Sequence, residues 1–128
     1  MVSCAVISIA DTADMLNCDL HCHSICSDGL LSAAELARRA VANGVDMLAL
    51  TDHDDLAGLP AARLVADELG MAFVDGVEIS IEWESLQIHI LGYAFDRGDP
   101  ALNQGLQSIR SGRIERARDV SRLLEALP

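Results

Sequence analysis

The sequence predicts an α/β domain in which strand–helix units surround a parallel sheet. Short apolar runs alternate along the chain with segments of helical periodicity, and this alternation is typical of repeated βα units. Of the 128 residues, 51% are hydrophobic, which is enough for one domain with its own core. Aromatic residues make up only 3%, so aliphatic side chains must supply most of the packing.

The first predicted elements are a strand, a helix and a second strand. The first strand covers about residues 17–23. Ser32 followed by Glu35 forms a capping-box pattern that begins the helix, and Gly44 is suited to end it. Residues 47–51 form an apolar run, which is typical of a strand that is buried on both faces.

The remaining elements continue the alternation. Pro60 is a favoured first residue of a helix, and Gly70 predicts the end of that helix. Two further strands are predicted over about residues 73–80 and 87–93. Pro100 then begins a long helix that runs to the C-terminus. Residues 17–128 thus form the predicted domain, and residues 1–16 are an N-terminal extension.

Composition also limits the cellular compartment and the kinds of partner that can be expected. The formal net charge of −11 argues against stable DNA binding and fits a protein whose acids gather around cations. Four clustered cysteines are too few for a disulfide framework. Neither a membrane-spanning run nor a convincing signal peptide is visible. We therefore predict a cytoplasmic protein with no membrane association.

Every histidine falls on a predicted strand or just after one. His21 and His23 are two residues apart on the first strand, so both rings lie on the same face. Asp28 follows in a turn, and His53 comes directly after the second strand. In a parallel α/β sheet, functional groups collect at these C-terminal strand ends. With two residues of later strands, the candidate metal ligands are His21, His23, Asp28, His53, Glu78 and His89.

The residue types in this set indicate metal binding. A single buried histidine is usually a hydrogen-bonded core residue, but four histidines with two strand-end carboxylates favour a metal site. Imidazole with carboxylate suits Zn, Mn or Fe, and carboxylates can bridge two ions about 3.5–4 Å apart. Such ions lower the pKa of a bound water towards about 7 and neutralise phosphate oxygens.

Two other kinds of metal site fit the residues less well. Cys18 and Cys22 alternate with the two strand histidines, so they face away from that pair, while Cys26 lies in the turn. A cysteine-based zinc or iron–sulfur site is therefore disfavoured. Amidohydrolases also begin with a His-x-His strand, but a modified lysine bridges their usual two-metal site. This chain contains no lysine and cannot supply that bridge.

Four segments in succession resemble the early motifs of one family. They are Asp-Leu-His-Cys-His-Ser-Ile-Cys-Ser-Asp-Gly, Leu-Thr-Asp-His-Asp, Gly-Val-Glu-Ile-Ser and His-Ile-Leu-Gly-Tyr. In order and spacing they are similar to the PHP (polymerase and histidinol phosphatase) family from residue 17 to about 125. The resemblance implies the N-terminal half of a distorted (β/α)7 TIM-like barrel. Because such barrels need roughly 250 residues and later ligands have no counterpart here, we expect a truncated chain.

The resemblance also implies roles for individual residues around two or three divalent ions, which would be Mn, Zn or Fe. His21 and His23 would hold one ion with Glu78 bridging. The second ion would be held by the pair Asp28 and His53, and the third by His89 with Glu78. The implied catalytic residues are Asp52, His53 and Glu78.

Within the family, the chain is most similar to stand-alone enzymes that remove phosphate from nucleoside 3′,5′-bisphosphates, whose relatives trim 5′ ends of short RNA. The resemblance therefore implies a metal-dependent phosphoesterase whose substrate is a small phosphorylated nucleotide or a short RNA end. We expect this activity in the full-length parent. The alternatives are another PHP role (histidinol-phosphate phosphatase or polymerase-associated exonuclease) or a non-catalytic metal-binding fragment.

The C-terminal helix carries arginines beside an apolar stripe. At helical spacing, Arg113 falls in the middle of the stripe and Arg116 at its edge. An inward-facing arginine needs a partner, either an acid of the protein or a substrate phosphate. The resemblance favours phosphate binding by both arginines. The predicted stripe consists of Leu102, Leu106, Ile109, Ala117, Val120, Leu124 and Leu127.

Overall fold

A computed structural model of the chain describes residues 15–84 and 86–125. Residues 1–14, which make up most of the predicted extension, lie outside this description. Four strands and three helices follow one another in the order predicted from the sequence. They are β1 (Cys18–Cys22), α1 (Ala33–Ala42), β2 (Met47–Leu50), α2 (Leu59–Leu69), β3 (Ala72–Trp83), β4 (Leu86–Tyr93) and α3 (Pro100–Glu125).

The strands form one sheet in the order β1-β2-β3-β4. β1 pairs with β2, and β2 with β3, in parallel, as predicted. The prediction of parallel strands is wrong for the last pair, because β3 and β4 are antiparallel from Gly76 opposite Tyr93 to Trp83 opposite Leu86. The reason is the short connection between them. Parallel pairing needs a crossover of a dozen or more residues, and only residues 84–85 separate these strands.

Helices α1 and α2 pack together against the sheet. Ser32 caps α1 with the predicted capping box: its hydroxyl accepts the Glu35 amide N–H, and the Glu35 carboxylate accepts the Ser32 amide N–H. Three alanines of α1 are buried: Ala33, Ala37 and Ala40. The buried core beneath the helices includes Ala37, Leu48, Leu50, Leu59 and Val65.

The sheet curls so that its outer strands meet. The Tyr93 hydroxyl of β4 donates a hydrogen bond to the Leu20 carbonyl of β1 over 2.7 Å, although two strands lie between them. Gly76 permits a close approach of β2 and β3, since a Cβ there would lie 2.7 Å from the Leu50 carbonyl oxygen. The curl brings the ends of all four strands towards a common centre.

Helix α3 crosses this end of the sheet and is mostly exposed. Its first turn is capped by Asp99, whose carboxylate accepts the Leu102 amide N–H at 2.9 Å. Leu106 is the one buried residue in the described part of the helix. The predicted apolar stripe is therefore wrong as a buried face, because Val120 and Leu124 are exposed and Leu127 lies outside the described residues. None of the helices in the described ranges combines the length and hydropathy of a membrane span.

Candidate metal centre

The two histidines of β1 contact one carboxylate. His21 Nε2 lies 2.9 Å from Glu78 Oε2, and His23 Nε2 lies 3.1 Å from the same oxygen. The two ring centroids are 5.1 Å apart, so the rings share one side of the strand as their spacing predicts.

The second strand delivers His53 to the same place. Its backbone forms an isolated parallel bridge with Glu78, and its Nε2 lies 3.7 Å from Glu78 Oε2. Asp28 approaches from the turn after β1. Its carboxylate oxygens lie 3.5 Å from His23 Nδ1 and 3.7 Å from His53 Nε2. The rings of His23 and His53 stack with centroids 4.8 Å apart.

Glu78 of β3 is the shared residue of this arrangement. It is buried, and its second oxygen, Oε1, lies 2.7 Å from Nδ1 of His89 on β4. Burial alone would raise the pKa of the Glu78 carboxyl. The hydrogen bonds from His21 and His89 outweigh this effect and hold the pKa below its usual value. Glu78 therefore remains a carboxylate with histidines around it.

The six predicted ligands meet in three overlapping groups. In each group, one ligand atom of every member lies within 4.8 Å of the others. The groups are His21, His23 and Glu78; His23, Asp28 and His53; and His53, Glu78 and His89. The structure thus brings all six residues together, and their role as metal ligands stays a prediction.

Two features of the histidines, a buried ring nitrogen without a partner among the described residues and the pKa of His53, fit a divalent ion. The Nδ1 atoms of His23 and His53 are buried and have no hydrogen-bond partner in the described part of the chain. Buried polar atoms normally have a partner, and an ion beside Asp28 would supply one for His23 Nδ1. Burial lowers the pKa of His53, and the neighbouring His23 and His89 rings lower it further. The carboxylates of Glu78 and Asp28 oppose this change. His53 is therefore neutral at neutral pH, which is the form that binds metal.

Asp52, a predicted catalytic residue, lies behind the ligands rather than among them. It is buried, and its carboxylate accepts hydrogen bonds from the Ser24 amide at 2.7 Å, the Ser24 hydroxyl at 2.7 Å and the Ser27 hydroxyl at 2.6 Å. These serines belong to the turn that carries Asp28. These contacts favour a role in fixing that turn, and the catalytic role of Asp52 stays a prediction.

The predicted arginines occupy two different places. Arg113 reaches the buried carboxylate of Asp54 and also lies 3.1 Å from the Ser80 hydroxyl, so its partner is an acid of the protein. Arg116 points elsewhere and pairs with the exposed Glu82 at 3.2 Å.

An open cavity of about 430 Å³ joins the ligands to the arginines. Asp28, His53 and His89 line one part of it, and Arg110 and Arg113 line another. Arg116 is not part of this lining. The cavity therefore combines candidate cation ligands with fixed positive charge, which is an arrangement suited to an anionic ligand.

Sequence reasoning missed Arg110 and Asp54. Arg110 donates a hydrogen bond to the Asp54 carbonyl oxygen and lies 3.6 Å from Asp55. Its position three residues before Arg113, on the same helix face, was the available signal. Asp54 stands in the Thr-Asp-His-Asp motif, but the motif alone does not separate its role from those of its acidic neighbours.

Residues 19–117 match the family described as PHP domain. The chain therefore belongs to the PHP family, as the four motifs predicted. It is 48% identical over 112 residues to the 3′,5′-nucleoside bisphosphate phosphatase of Chromobacterium violaceum, with 88% of this chain and 39% of the relative covered. It is 49% identical over 107 residues to a 5′-3′ exoribonuclease of Haemophilus influenzae, with 84% and 39% covered. The chain thus spans about two fifths of the length of these relatives.

Solved structures confirm the predicted fold class. A structure described as an amidohydrolase from Chromobacterium violaceum, with bound sulfate and no metal, superimposes with a TM-score of 0.81 at 48% identity, covering 86% of this chain and 39% of the other. A candidate metal-dependent phosphoesterase from Bifidobacterium adolescentis gives a TM-score of 0.79 at 29% identity, covering 90% and 41%. The curled sheet is thus part of a PHP-type barrel.

Proposed function

We propose that the chain carries the metal centre of a phosphoesterase domain that hydrolyses a phosphate monoester of a small nucleotide. The substrate class is a nucleoside 3′,5′-bisphosphate or the 5′ end of a short RNA. The observation that carries this proposal is the single cavity in which Asp28, His53 and His89 face Arg110 and Arg113. The names and identities of the relatives support the same class.

The three ligand groups would hold two or three divalent ions, which we propose to be Mn, Zn or Fe. When bound, such ions activate water for attack on phosphorus and neutralise phosphate oxygens. The chain's own contribution is to fix the ligands. Glu78 belongs to two of the ligand groups. The hydrogen bonds of Asp52 hold the turn that carries Asp28, so that Asp28 stays within reach of His23 and His53.

Substrate phosphate would lie against the arginines at the cavity. Both hydrogen bonds of Arg113 use Nη2, so Nη1 and Nε have no hydrogen-bond partner among the described residues. Each of these nitrogens can donate a charge-assisted hydrogen bond to a phosphate oxygen. The relative from Chromobacterium violaceum was solved with bound sulfate, which is a tetrahedral anion like phosphate. We therefore assign phosphate recognition to Arg113 and Arg110 and not to Arg116.

The test combines metal content with phosphate release. The folded chain would be isolated by gel filtration, its metal measured by elemental analysis, and release followed from a nucleoside 3′,5′-bisphosphate and from histidinol phosphate. His53→Ala should lose activity with little loss of fold, and Asp67→Asn on α2 should retain it. Preference for histidinol phosphate would favour another PHP role, and full activity in His53→Ala would refute the assigned site.

A second candidate is a metal-binding module without catalytic activity. It is favoured because the match covers only 39% of the length of each of the two curated relatives described above. Such a module would bind metal stoichiometrically and yet release phosphate from neither ester. Catalytic turnover that disappears in His53→Ala would exclude this candidate.

A further inference from the structure

Asp54 occupies an unusual position beside the metal centre. It follows His53 directly, its side chain is 0% exposed, and its φ is 52°. Residues other than glycine seldom adopt this left-handed conformation, although Asp and Asn tolerate it better than most. Such a conformation persists only where several surrounding contacts fix it.

Two of these contacts attach Asp54 to β3. Its backbone N–H donates to the Glu78 carbonyl oxygen over 2.9 Å, and its Oδ1 accepts the Ser80 N–H over 2.7 Å. Asp54 is therefore fixed to the backbone of the strand that carries the central carboxylate. The spacing between Asp54 and the ligands is set by main-chain hydrogen bonds.

Two further contacts attach Asp54 to α3. Its Oδ2 pairs with Arg113 Nη2, and its carbonyl oxygen accepts a hydrogen bond from Arg110 Nη1. The helix has little apolar attachment here, since Leu106 is its one buried residue in the described range. The position of the two arginines at the cavity therefore depends on Asp54 more than on apolar packing.

We propose that Asp54 is a positioning residue, which holds Arg113 and Arg110 at a fixed distance from the metal ligands so that phosphate can contact both. This inference rests on the proposed phosphoesterase function. The burial of the pair is unequal, because Asp54 is fully buried while the Arg113 side chain is 44% exposed. Asp54 pairs with Nη2 of the guanidinium, and Arg113 also lines the cavity.

Asp54→Asn is the variant that separates positioning from folding. Asparagine keeps the shape, tolerates the same φ, and keeps an oxygen for the Ser80 N–H, but it loses the charge that holds Arg113. In metal-free protein, amide hydrogen exchange over residues 106–116 should become about tenfold faster, while α1 and α2 remain unchanged. Asp119→Asn, which breaks the exposed pair with Arg122 on the same helix, should leave this segment unchanged.

Activity gives the second readout. In metal-loaded Asp54→Asn, KM for a nucleoside 3′,5′-bisphosphate should rise about tenfold with kcat within about twofold and metal content unchanged. If no ester is hydrolysed by the unaltered chain, the proposed function fails, but the exchange measurement still decides whether Asp54 holds the helix. Unchanged exchange over residues 106–116 would overturn the inference, and so would an equal loss of kcat with no rise in KM.

Arg113→Gln removes the half-exposed member of the pair and leaves Asp54 in place. It breaks the same pair from the helix side and should accelerate exchange over residues 106–116 to the same extent. Combining it with Asp54→Asn should then add less than about twofold, since one contact is removed in both. Fully multiplicative effects would show that the two residues act separately and would overturn the inference.

Discussion

Gly29 follows Asp28 in the turn at the metal centre, and its lack of a side chain is a geometric requirement. A Cβ atom at this position would lie 2.1 Å from the carbonyl oxygen of His23 and 2.8 Å from the amide nitrogen of Ser24. The Gly29 N–H also donates to the Ser24 carbonyl oxygen over 2.9 Å. The Gly29→Ala substitution therefore places a methyl group against the backbone of a ligand residue.

The size of the effect follows from these distances. A carbon–oxygen contact needs about 3.3 Å, so the turn must open by about 1 Å. Metal–ligand distances tolerate only about 0.2 Å, so Asp28 would leave its place beside His23 and His53. We expect Gly29→Ala to remove about one equivalent of metal and to lower the free energy of unfolding by about 1–3 kcal/mol.

The assay is elemental analysis of gel-filtered protein together with urea unfolding. Gly105→Ala is the matched control, because a Cβ there meets nothing within 4 Å. As a glycine inside α3, it should increase the free energy of unfolding by up to about 1 kcal/mol and leave metal content unchanged. Wild-type metal content and stability in Gly29→Ala would refute the reasoning.

Three further predictions concern other parts of the chain. Glu78→Gln should remove more metal than His89→Ala, because Glu78 belongs to two ligand groups and His89 to one; equal losses in elemental analysis would contradict this. Ser32→Ala should lower the free energy of unfolding by about 1 kcal/mol through loss of the capping box, and an unchanged urea midpoint would count against it. Burial, and to a lesser extent Asp19, raises the pKa of Cys22 to about 12. A thiol reagent at pH 8 should therefore modify Cys22 more slowly than the exposed Cys18. Equal rates of modification by peptide mass spectrometry would contradict this.

Local signals in the sequence were sufficient to predict most elements. Ser32 with Glu35 marks the start of α1, Pro60 lies in the first turn of α2, and Gly70 ends α2 in the left-handed conformation. The convergence of the six candidate ligands was also predictable, because parallel strands bring their C-terminal ends to one edge. Each of these features depends on residues close together in the chain or on a general rule of sheet topology.

Features that depend on distant contacts were not predictable. Asp52, Asp54 and Asp55 surround one histidine, and the sequence contains nothing that separates their roles. The fold separates them: Asp52 accepts hydrogen bonds from two serines of the turn that carries Asp28, and Asp54 pairs with Arg113 of α3. The direction of β4 and the exposure of α3 were missed for the same reason, since strand pairing and helix packing are set by the whole sheet.

The antiparallel pairing of β3 and β4 has a consequence for the order in which the site assembles. Hairpins with short connections form in about 1–10 μs, whereas each parallel pair here must close a connection of more than twenty residues. Folding should therefore bring Glu78 and His89 together first and add His21 and His23 of the edge strand β1 later. Pulse-labelling hydrogen exchange during refolding should find amides between β3 and β4 protected before those between β1 and β2.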